Sequence, residues 1–521
     1  MHCAAIGRRA LLSLSLTISV ALTPPGVSAQ TAATSPSSTD LEKRVRELED
    51  TVRRLEGERA RTNAHTPPLP NTNPTPASGP AKVTQASAVP PSNAAVPSVE
   101  VLSVGDGTEP SRTEGGGPRP NVFLGWDDGF YLRSEDRKYS LRFTGQIQAD
   151  YRTYLDDVDN TDIDTFLVRR ARFGLEANMF RYYEFRLLPD FGLGQARVQD
   201  AYLNVHYWDA FQVEAGKFKQ PFSYEQLIQD RFVPTLERSL IDQLVPQRDV
   251  GLMVHGQKLL GDRLDYAVSV SNGEINGDSD TNDLKDLVGR VVVRPLNDER
   301  LWPIVRGLQI GISGSTGKEQ EPMSPNTLRT PANVPFFQFN PAVRADGLRN
   351  RWSPEVAYFY RSFGFAAQYF EQVQDLRPSF VGPTFRFEQD IPFRGWYVLA
   401  TYLLTGEERT TYSEPVTPLR AFDPCHPFHC SGAWELVGRV SRLRIGDAVF
   451  APGPAQLANP ALYSPGATEL TLGFNWYFNK WVRMQFNWEH DWFDDPVQLG
   501  PGSAGRLRHQ DSLLTRFQVI F

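Results

Sequence analysis

From about residue 130 to residue 521, the chain repeats short segments in which apolar and polar side chains alternate, separated by Gly, Asp, Asn and Pro. One such segment has the apolar face Leu141, Phe143, Ile147, Ala149 and Tyr151 and the polar face Arg142, Thr144, Gln146, Gln148 and Asp150. Successive side chains of a strand point to opposite faces, so this period of two predicts half-apolar β-strands. The fold class predicted for residues 121–521 is therefore all-β.

Three details favour a membrane barrel over a soluble sheet with one wet face. The polar faces often carry ionised side chains, which a water-filled lumen permits. Aromatic residues gather at segment ends, as in the aromatic girdle of a barrel; examples are Trp476, Tyr477, Trp481 and Trp492. Short turns alternate with long connections, as they do between the two sides of an outer-membrane barrel.

The alternation predicts a sixteen-stranded antiparallel transmembrane β-barrel. Because the number is even, both ends of the barrel lie on the periplasmic side, and the long connections at 219–248 and 317–352 face outward. The predicted strands are 141–152, 165–179, 182–190, 198–208, 211–218, 249–257, 263–271, 286–295, 306–316, 353–361, 363–372, 390–405, 432–443, 467–478, 481–492 and 510–521.

Composition excludes several other classes of protein. The net charge of −7 gives no support for nucleic-acid binding, which normally needs a basic face. No run of about 18 apolar residues follows residue 30, so no transmembrane helix is expected there. The chain contains no nucleophile elbow, phosphate loop or zinc-protease signature, so we expect neither an enzyme nor a cofactor or metal site.

The first 29 residues have the features of a secretory signal peptide. Arg8 and Arg9 precede an apolar stretch from Ala10 to Leu22, and Val27-Ser28-Ala29 fits the small-residue cleavage pattern. The sequence therefore predicts export, with a signal peptide at residues 1–29.

Residues 30–60 are predicted to contain a short coiled-coil helix. Its apolar residues are Leu41, Val45, Leu48, Val52 and Leu55, spaced alternately four and three apart. This is a heptad pattern, although about two heptads also fit a lone amphipathic helix. Residues 61–120 are rich in Pro, Ala, Ser, Thr and Gly with few large apolar side chains, which predicts a disordered linker.

Several sequence blocks in residues 120–521 resemble the phosphate-selective porin O and P family. They are Val168-Arg169-Arg170-Ala171-Arg172, Gly216-Lys217-Phe218, Leu236-Glu237-Arg238, Leu404-Thr405-Gly406-Glu407, Gly432-Ala433-Trp434-Glu435-Leu436 and Leu472-Gly473-Phe474-Asn475-Trp476-Tyr477. The resemblance implies a trimer of sixteen-stranded barrels, each with a loop folded into the pore after the fifth strand and basic side chains that favour anions.

The resemblance also implies roles for individual residues. Arg169, Arg170 and Arg238 match arginines of the family's pore, and Arg231 stands where selective members have a loop lysine. Gln226 replaces the other loop lysine and Gln146 replaces an arginine of the first strand. These two departures weaken the expectation of selectivity for phosphate itself.

Two groups of candidate site residues follow. The predicted pore-lining residues are Arg142, Gln146, Arg169, Arg170, Arg172 and Arg186, and the predicted constriction-loop residues are Glu225, Gln226, Asp230, Arg231 and Arg238. Arg170, Arg172 and Arg186 share the inward parity, but they could instead pair with Glu176, Glu184 or Asp200 and serve stability. Arg169 has the outward parity, so it needs an interface or a β-bulge to reach the lumen.

Cys425 and Cys430 flank His426 and His429 in a short stretch of sequence. One metal ion would reach all four side chains only awkwardly, because the span is short and contains Pro427. In an oxidising compartment, a disulfide between the two cysteines is the expected arrangement.

Together these features predict a porin in the outer membrane of a Gram-negative-type bacterium. It would let small hydrophilic solutes diffuse passively, with a weak preference for anions such as phosphate. The expected partners are outer-membrane lipid, two further copies of the chain in a homotrimer, and small anionic solutes. The alternative is an envelope-tethering protein whose N-terminal segment contacts the cell wall and whose pore is secondary.

Overall fold

The computed structural model describes residues 122–126, 129–155, 163–274, 277, 282–378, 389–427, 429–453, 456–498 and 505–521. The predicted signal peptide, coiled-coil helix and linker lie outside these ranges, so their domain boundaries stay predictions. Within the described ranges, no helix is both long enough and apolar enough to cross a membrane.

Twenty strands occur in the described residues, and sixteen of them form a closed antiparallel barrel, as the alternation predicted. The barrel strands are β3 (Ser140–Tyr154), β4 (Thr165–Met179), β5 (Tyr183–Asp190), β6 (Arg197–Trp208), β7 (Phe211–Lys219), β8 (Arg248–Lys258), β9 (Leu264–Ser271), β10 (Asp286–Val293), β11 (Leu308–Pro322), β14 (Arg344–Tyr360), β15 (Phe363–Arg377), β16 (Gln389–Leu403), β17 (Ala433–Ile445), β18 (Gly466–Tyr477), β19 (Val482–Val497) and β20 (Leu507–Ile520). The remaining strands are β1 (Val122–Trp126), β2 (Phe130–Ser134), β12 (Thr327–Arg329) and β13 (Pro335–Gln338).

The barrel closes where β20 pairs with β3. β20 covers β3 from Gln146 to Tyr154, and β2 pairs with residues 140–143 on the same side of β3. Gly145 lies at the junction, where its N–H donates to the Phe521 carbonyl at 2.8 Å and its carbonyl accepts from the Phe521 N–H at 3.0 Å. A Cβ at position 145 would overlap the Phe521 ring, so glycine allows the ring to lie over the backbone here.

Outward positions are aliphatic in the middle of the wall and aromatic near its rims. On β16 the outward series runs Tyr402, Ala400, Val398, Trp396 and Arg394. Tyr402 lies near the rim that carries both ends of the barrel, which is the periplasmic rim of an outer-membrane barrel. Near the other rim, the aromatic band on β14–β19 comprises Trp352, Tyr369, Trp396 and Trp492.

Short helical turns occur only in the connections of the described chain. They are α1 (Tyr224–Leu227), α2 (Leu259–Asp262), α3 (Pro303–Arg306) and three 3-10 turns at Gly192–Gly194, Leu240–Gln243 and Asp447–Phe450. The outward connection predicted at 317–352 is shorter than expected, because β11 and β14 extend to Pro322 and back to Arg344. The extensions carry charged residues on both faces, which hid them from the apolar alternation.

Long connections between the described strands fold into the lumen. The constriction loop (residues 220–247) joins β7 to β8 from the extracellular rim, and the inner hairpin (residues 323–343, with β12 and β13) joins β11 to β14 from the same rim. The periplasmic loop (residues 404–432) joins β16 to β17 and buries Tyr412, whose hydroxyl lies 3.1 Å from the Thr401 hydroxyl.

The inner hairpin fills one side of the lumen with an apolar core. Leu328, Phe336 and Phe337 are fully buried there. The ring of Phe336 stacks on Phe493, and Phe339 packs on Phe393 of β16, both with ring centroids 6.4 Å apart. Burial of each such ring stabilises the fold by about 1.5–3 kcal/mol. This apolar core therefore excludes water from its side of the lumen at the level of the hairpin.

Candidate functional site

The polar side of the lumen holds a cavity of about 490 Å³ between the wall strands β3–β8 and the constriction loop. Arginines predominate in its lining: Arg152, Arg169, Arg170, Arg172, Arg197, Arg238, Arg248 and Arg329. Four carboxylates also line it: Asp190, Asp230, Glu237 and Asp242. Such a cavity concentrates anions, because its low-dielectric walls focus the field of the excess positive charge.

A β-bulge in β4 brings two consecutive arginines to this cavity. Gln148 of β3 pairs with Arg170 and the next residue, Ala149, pairs with Val168, so Arg169 is the extra residue. Val168 faces outward and is 49% exposed, whereas Arg169 and Arg170 both reach the lumen. A Cβ on Gly192 would lie 2.6 Å from the Arg169 carbonyl, so glycine allows the neighbouring loop to pack against the bulge.

The constriction loop is held inside the barrel by polar bonds to the far wall. The carbonyl of Pro234 accepts from Asn475 Nδ2 (2.9 Å) and Gln485 Nε2 (3.0 Å). The Glu237 carbonyl accepts from Arg439 Nη1 at 2.7 Å. Because a loop has no strand partners for its backbone, these inward wall residues supply the hydrogen bonds that its buried carbonyls need. The loop therefore has a defined position in the lumen.

Two carboxylates of the constriction loop each bind two or more of the arginines in the lumen. Glu237 Oε1 accepts from Arg169 Nε (2.7 Å), Arg152 Nη2 (3.0 Å) and Arg516 Nη2 (2.9 Å), and Arg170 lies 3.7 Å from Oε2. Asp230 binds Arg172 and accepts from Arg238 Nη1 at 2.6 Å. These charge-assisted bonds fix the arginines and neutralise part of their charge.

The charges also set the pKa values of the loop carboxyls. Burial alone would raise the pKa of Asp230, but Arg238 and Arg172 outweigh it and hold that pKa well below its usual range. In the same way Arg169 and Arg170 overcome burial and hold the pKa of Glu237 low. Asp242 is different, because burial raises its pKa to about 7 despite the nearby Arg238. Because its pKa lies near 7, Asp242 changes its charge near neutral pH.

The other predicted pore-lining residues occupy different levels of the wall. Arg142 lies near the periplasmic end of β3, opposite Glu176, and is exposed. Gln146 is buried, and its Nε2 has no hydrogen-bond partner among the described residues. Arg186 pairs with Glu176 (3.1 Å) and Asp200 (3.2 Å). Both carboxylates are among the acidic residues that the sequence analysis named as possible stabilising partners of the inward arginines.

The remaining predicted loop residues are divided between the interior of the loop and its lower surface. Glu225 accepts from the Ser239 hydroxyl at 2.5 Å and the Gln226 carbonyl accepts from Lys219 Nζ at 2.6 Å, so both positions hold the loop together. Arg231 donates to Gln229 Oε1 at 2.8 Å and lies over the Phe232 ring. Arg231 also lines a small cavity of about 30 Å³ on the periplasmic side of the loop.

Four cavity arginines were not predicted as site residues, and one of them, Arg152, is bound to Asp150 and Glu237. Arg197 and Arg329 are exposed, and within the described ranges neither forms an ion pair with a carboxylate. Arg248 bonds to Asp200 Oδ1 at 2.7 Å. Arg197 and Arg248 each stand one residue before a predicted strand, so extending the alternation by one residue would have found them. Arg329 lies on the inner hairpin, whose inward course the alternation does not indicate.

Cys425 and Cys430 are not bonded to each other in the structure. The disulfide between them stays a prediction. The Asp423 N–H donates to the Cys430 carbonyl at 2.9 Å, which closes the turn that contains both cysteines. Across the described chain, no group of three or more His, Cys, Asp or Glu side chains is suited to hold a metal ion. Peptide mass spectrometry without reduction tests the disulfide directly.

Comparison with known proteins identifies one sequence family. The family described as phosphate-selective porin O and P matches residues 141–521. No curated protein matches the chain in sequence.

Solved structures that are similar to this one include three outer-membrane proteins. OmpT of Vibrio cholerae in its trimer form has 11% identity and a TM-score of 0.43, and the match covers 74% of this chain and 99% of that one. The anion-selective porin from Comamonas acidovorans has 12% identity and a TM-score of 0.43, covering 74% and 100%. The outer-membrane channel DcaP of Acinetobacter baumannii has 12% identity and a TM-score of 0.44, covering 75% and 99%.

Proposed function

This chain belongs to the phosphate-selective porin O and P family, and we propose that it conducts small anions in weak preference to cations. It is a porin of the bacterial outer membrane through which small hydrophilic solutes diffuse passively, and it acts as a channel rather than an enzyme. The proposal concerns the sign and strength of its selectivity.

The excess of arginine over carboxylate around the 490 Å³ cavity is the observation that supports an anion preference. An unpaired charge 4 Å from an ion is worth on the order of 4 kcal/mol at an effective dielectric constant of about 20. Most of the wall arginines are bound to Asp230, Glu237, Asp190 or Asp200, which reduces this attraction. Arg197 and Arg329 contribute the least neutralised charge, so a modest bias towards anions remains.

The family name includes phosphate, but two residues argue against a tight phosphate site in this chain. Gln226 and Gln146 stand where the resemblance implies basic residues. Both are buried, and neither can offer an ionic bond to phosphate. We therefore infer that phosphate passes as one of several anions and does not saturate the pore at low concentration.

Reversal potentials across a planar bilayer under a salt gradient test the anion preference. The Arg197→Gln/Arg329→Gln double variant should shift the reversal potential towards cations, because it removes two positive charges from the cavity lining. The Arg394→Gln/Arg444→Gln variant makes the same charge change on the outer surface of the barrel, and its reversal potential should match the wild type. A cation-selective wild type, or equal shifts in both variants, would contradict the proposal.

We also propose that three copies associate through the aliphatic wall formed by β8–β10. Its outward positions towards the extracellular end are Val250, Leu252, Val268, Val270 and Leu287. Within the described residues these strands carry no counterpart of the aromatic band found on β14–β19. Aromatic bands mark contact with lipid headgroups, so this wall suits contact with neighbouring subunits.

Tryptophan substitutions distinguish a subunit interface from a lipid-facing wall, because Trp is tolerated by lipid but does not fit a closely packed contact. The Leu252→Trp/Val268→Trp variant should migrate as a monomer on a gel run without heating. Leu436→Trp/Leu472→Trp, at positions of similar exposure on the opposite wall, should leave the trimer intact. Loss of the trimer in both variants, or in neither, would remove the assignment of this interface.

A further inference from the structure

Two carboxylates on β19 are buried in the lumen without a partner. Glu489 and Asp491 are two residues apart, both face inward, and both are fully buried. None of their four carboxylate oxygens has a hydrogen-bond partner among the described residues. Thr330 of the inner hairpin lies near Asp491, but it does not form a hydrogen bond of normal geometry.

The neighbouring strand presents two further unpartnered oxygens at the same place. Ser512 pairs directly with Glu489 across the β19–β20 ladder, and Gln510 pairs directly with Asp491. Both are fully buried, and Ser512 Oγ and Gln510 Oε1 have no hydrogen-bond partner. The Gln510 amide nitrogen donates to the Asp511 carbonyl at 3.1 Å. The amide oxygen of Gln510 is therefore the atom that has no hydrogen-bond partner. Side chains directly opposite on one face lie about 5 Å apart at Cβ.

The charges around this patch do not balance. Glu469 pairs across the ladder with Asp491 and is bound to Arg439 at 2.8 Å, and Arg439 also lies 3.5 Å from Glu225. One arginine therefore faces four buried carboxylates. Arg152, the other arginine near Glu489, is already bound to Asp150 and Glu237. Buried carboxylates without a counter-charge are too costly to stay ionised, so each of them must either be protonated or bind a cation.

We propose that Glu489, Asp491, Gln510 and Ser512 bind one divalent cation, and that Ca²⁺ fits them best. All the donors are oxygens, which excludes cations that prefer nitrogen or sulfur ligands. Ca²⁺ accepts six to eight oxygens in irregular geometry, whereas Mg²⁺ demands a near-ideal octahedron and keeps several waters. The site combines two carboxylates with two neutral oxygens, beside Thr330 of the inner hairpin.

Terbium luminescence tests the site in the full-length porin in detergent, after removal of divalent cations with a chelator. Tb³⁺ is a calcium substitute that emits when nearby tryptophan is excited, and Trp488 and Trp492 lie on the same strand. We expect saturable emission from one Tb³⁺ per subunit, and displacement of Tb³⁺ by Ca²⁺. The Glu489→Gln/Asp491→Asn variant should bind about 100-fold more weakly, because it removes both charged ligands.

The matched control is Glu371→Gln/Asp375→Asn, which makes the same charge change at two positions on the outward face of β15. It should bind Tb³⁺ and Ca²⁺ like the wild type. If the β19 variant fails to fold, the wild type alone decides, because added Ca²⁺ should raise its Tm above that of the chelated protein. An unchanged Tm with no saturable binding would overturn the proposal and show that the carboxyls are held as neutral acids. Equal binding by both variants would also overturn it.

Discussion

On the β3–β8 side of the lumen, arginines of the wall meet carboxylates of the constriction loop around an open cavity. On the β14–β18 side, the inner hairpin packs phenylalanine and leucine against inward apolar residues and fills the lumen at that level. The same strand alternation builds both walls. The difference comes from the connections between the strands, because their position in the lumen determines which part of the barrel interior is accessible to water.

The contrast explains why the path for ions runs along one wall. Water and ions stay out of a close-packed apolar core, because entry would strip their hydration without compensation. The constriction loop and the inner hairpin contact each other through Gln243, whose amide bonds to the carbonyl of Arg329 (3.0 Å) and to its N–H (2.9 Å). This contact marks the boundary between the two regions.

Removing the apolar region should have the largest effect on conduction. Replacing residues 327–338 with a short Gly-Ser linker should raise the single-channel conductance severalfold, because water would enter the space now filled by Phe336 and Phe337. The measurement is the step size in a planar bilayer. Phe337→Leu keeps an apolar side chain of similar volume and should conduct like the wild type. An unchanged step size in the deletion would show that the hairpin does not limit the pore.

Removing a carboxylate from the polar region should change both selectivity and stability. Glu237→Gln leaves Arg152, Arg169 and Arg516 without their shared partner, so the pore should become clearly more anion-selective. Loss of one member of a buried ion pair costs about 3–5 kcal/mol, so the melting temperature should fall. Asp494→Asn frees Arg442 and Arg444 on the outer surface instead, and its selectivity should not move. A reversal potential that stays at the wild-type value in Glu237→Gln would contradict this account.

A smaller effect is expected from pH, through Asp242. Its pKa is raised to about 7 by burial, so it is mostly charged at pH 8 and mostly neutral at pH 6. It lies 3.8 Å from Arg238, and Glu225, Asp230 and Lys219 are the other titratable groups around it. Lowering the pH from about 8 to about 6 should therefore increase the preference for anions.

Asp242→Asn is neutral at every pH, so it should show the low-pH selectivity already at pH 8. The folded-state pKa of Asp242 lies above the ordinary value near 4, so its contribution to stability is present at low pH and lost as the pH rises through about 7. The variant should thus be no less stable than the wild type at pH 8. A pH response that persists in the variant would assign the titration to another group.

All sixteen barrel strands could be predicted from the sequence, because one face of each is apolar over its whole membrane span. The contents of the lumen could not, since Phe336 and Phe337 look like any short apolar pair until the hairpin is placed inside. The inward position of Arg169 depends on the β-bulge in β4. Simple alternation does not include the extra residue, so it places Arg169 on the outward face. The pairing of Asp230 and Glu237 with the wall needs contacts between residues far apart in sequence.

The divided pairing of β3 bears on how the barrel assembles. Asp150 of β3 is hydrogen-bonded to Arg516 of β20, and the two residues are 366 positions apart in the sequence. By contrast, β2 reaches β3 through a short turn. Local contacts form faster than distant ones, because less chain entropy is lost in closing the intervening loop. The β1–β2 hairpin therefore occupies one end of the β3 edge early, and leaves the other end open as the place where β20 completes the ring.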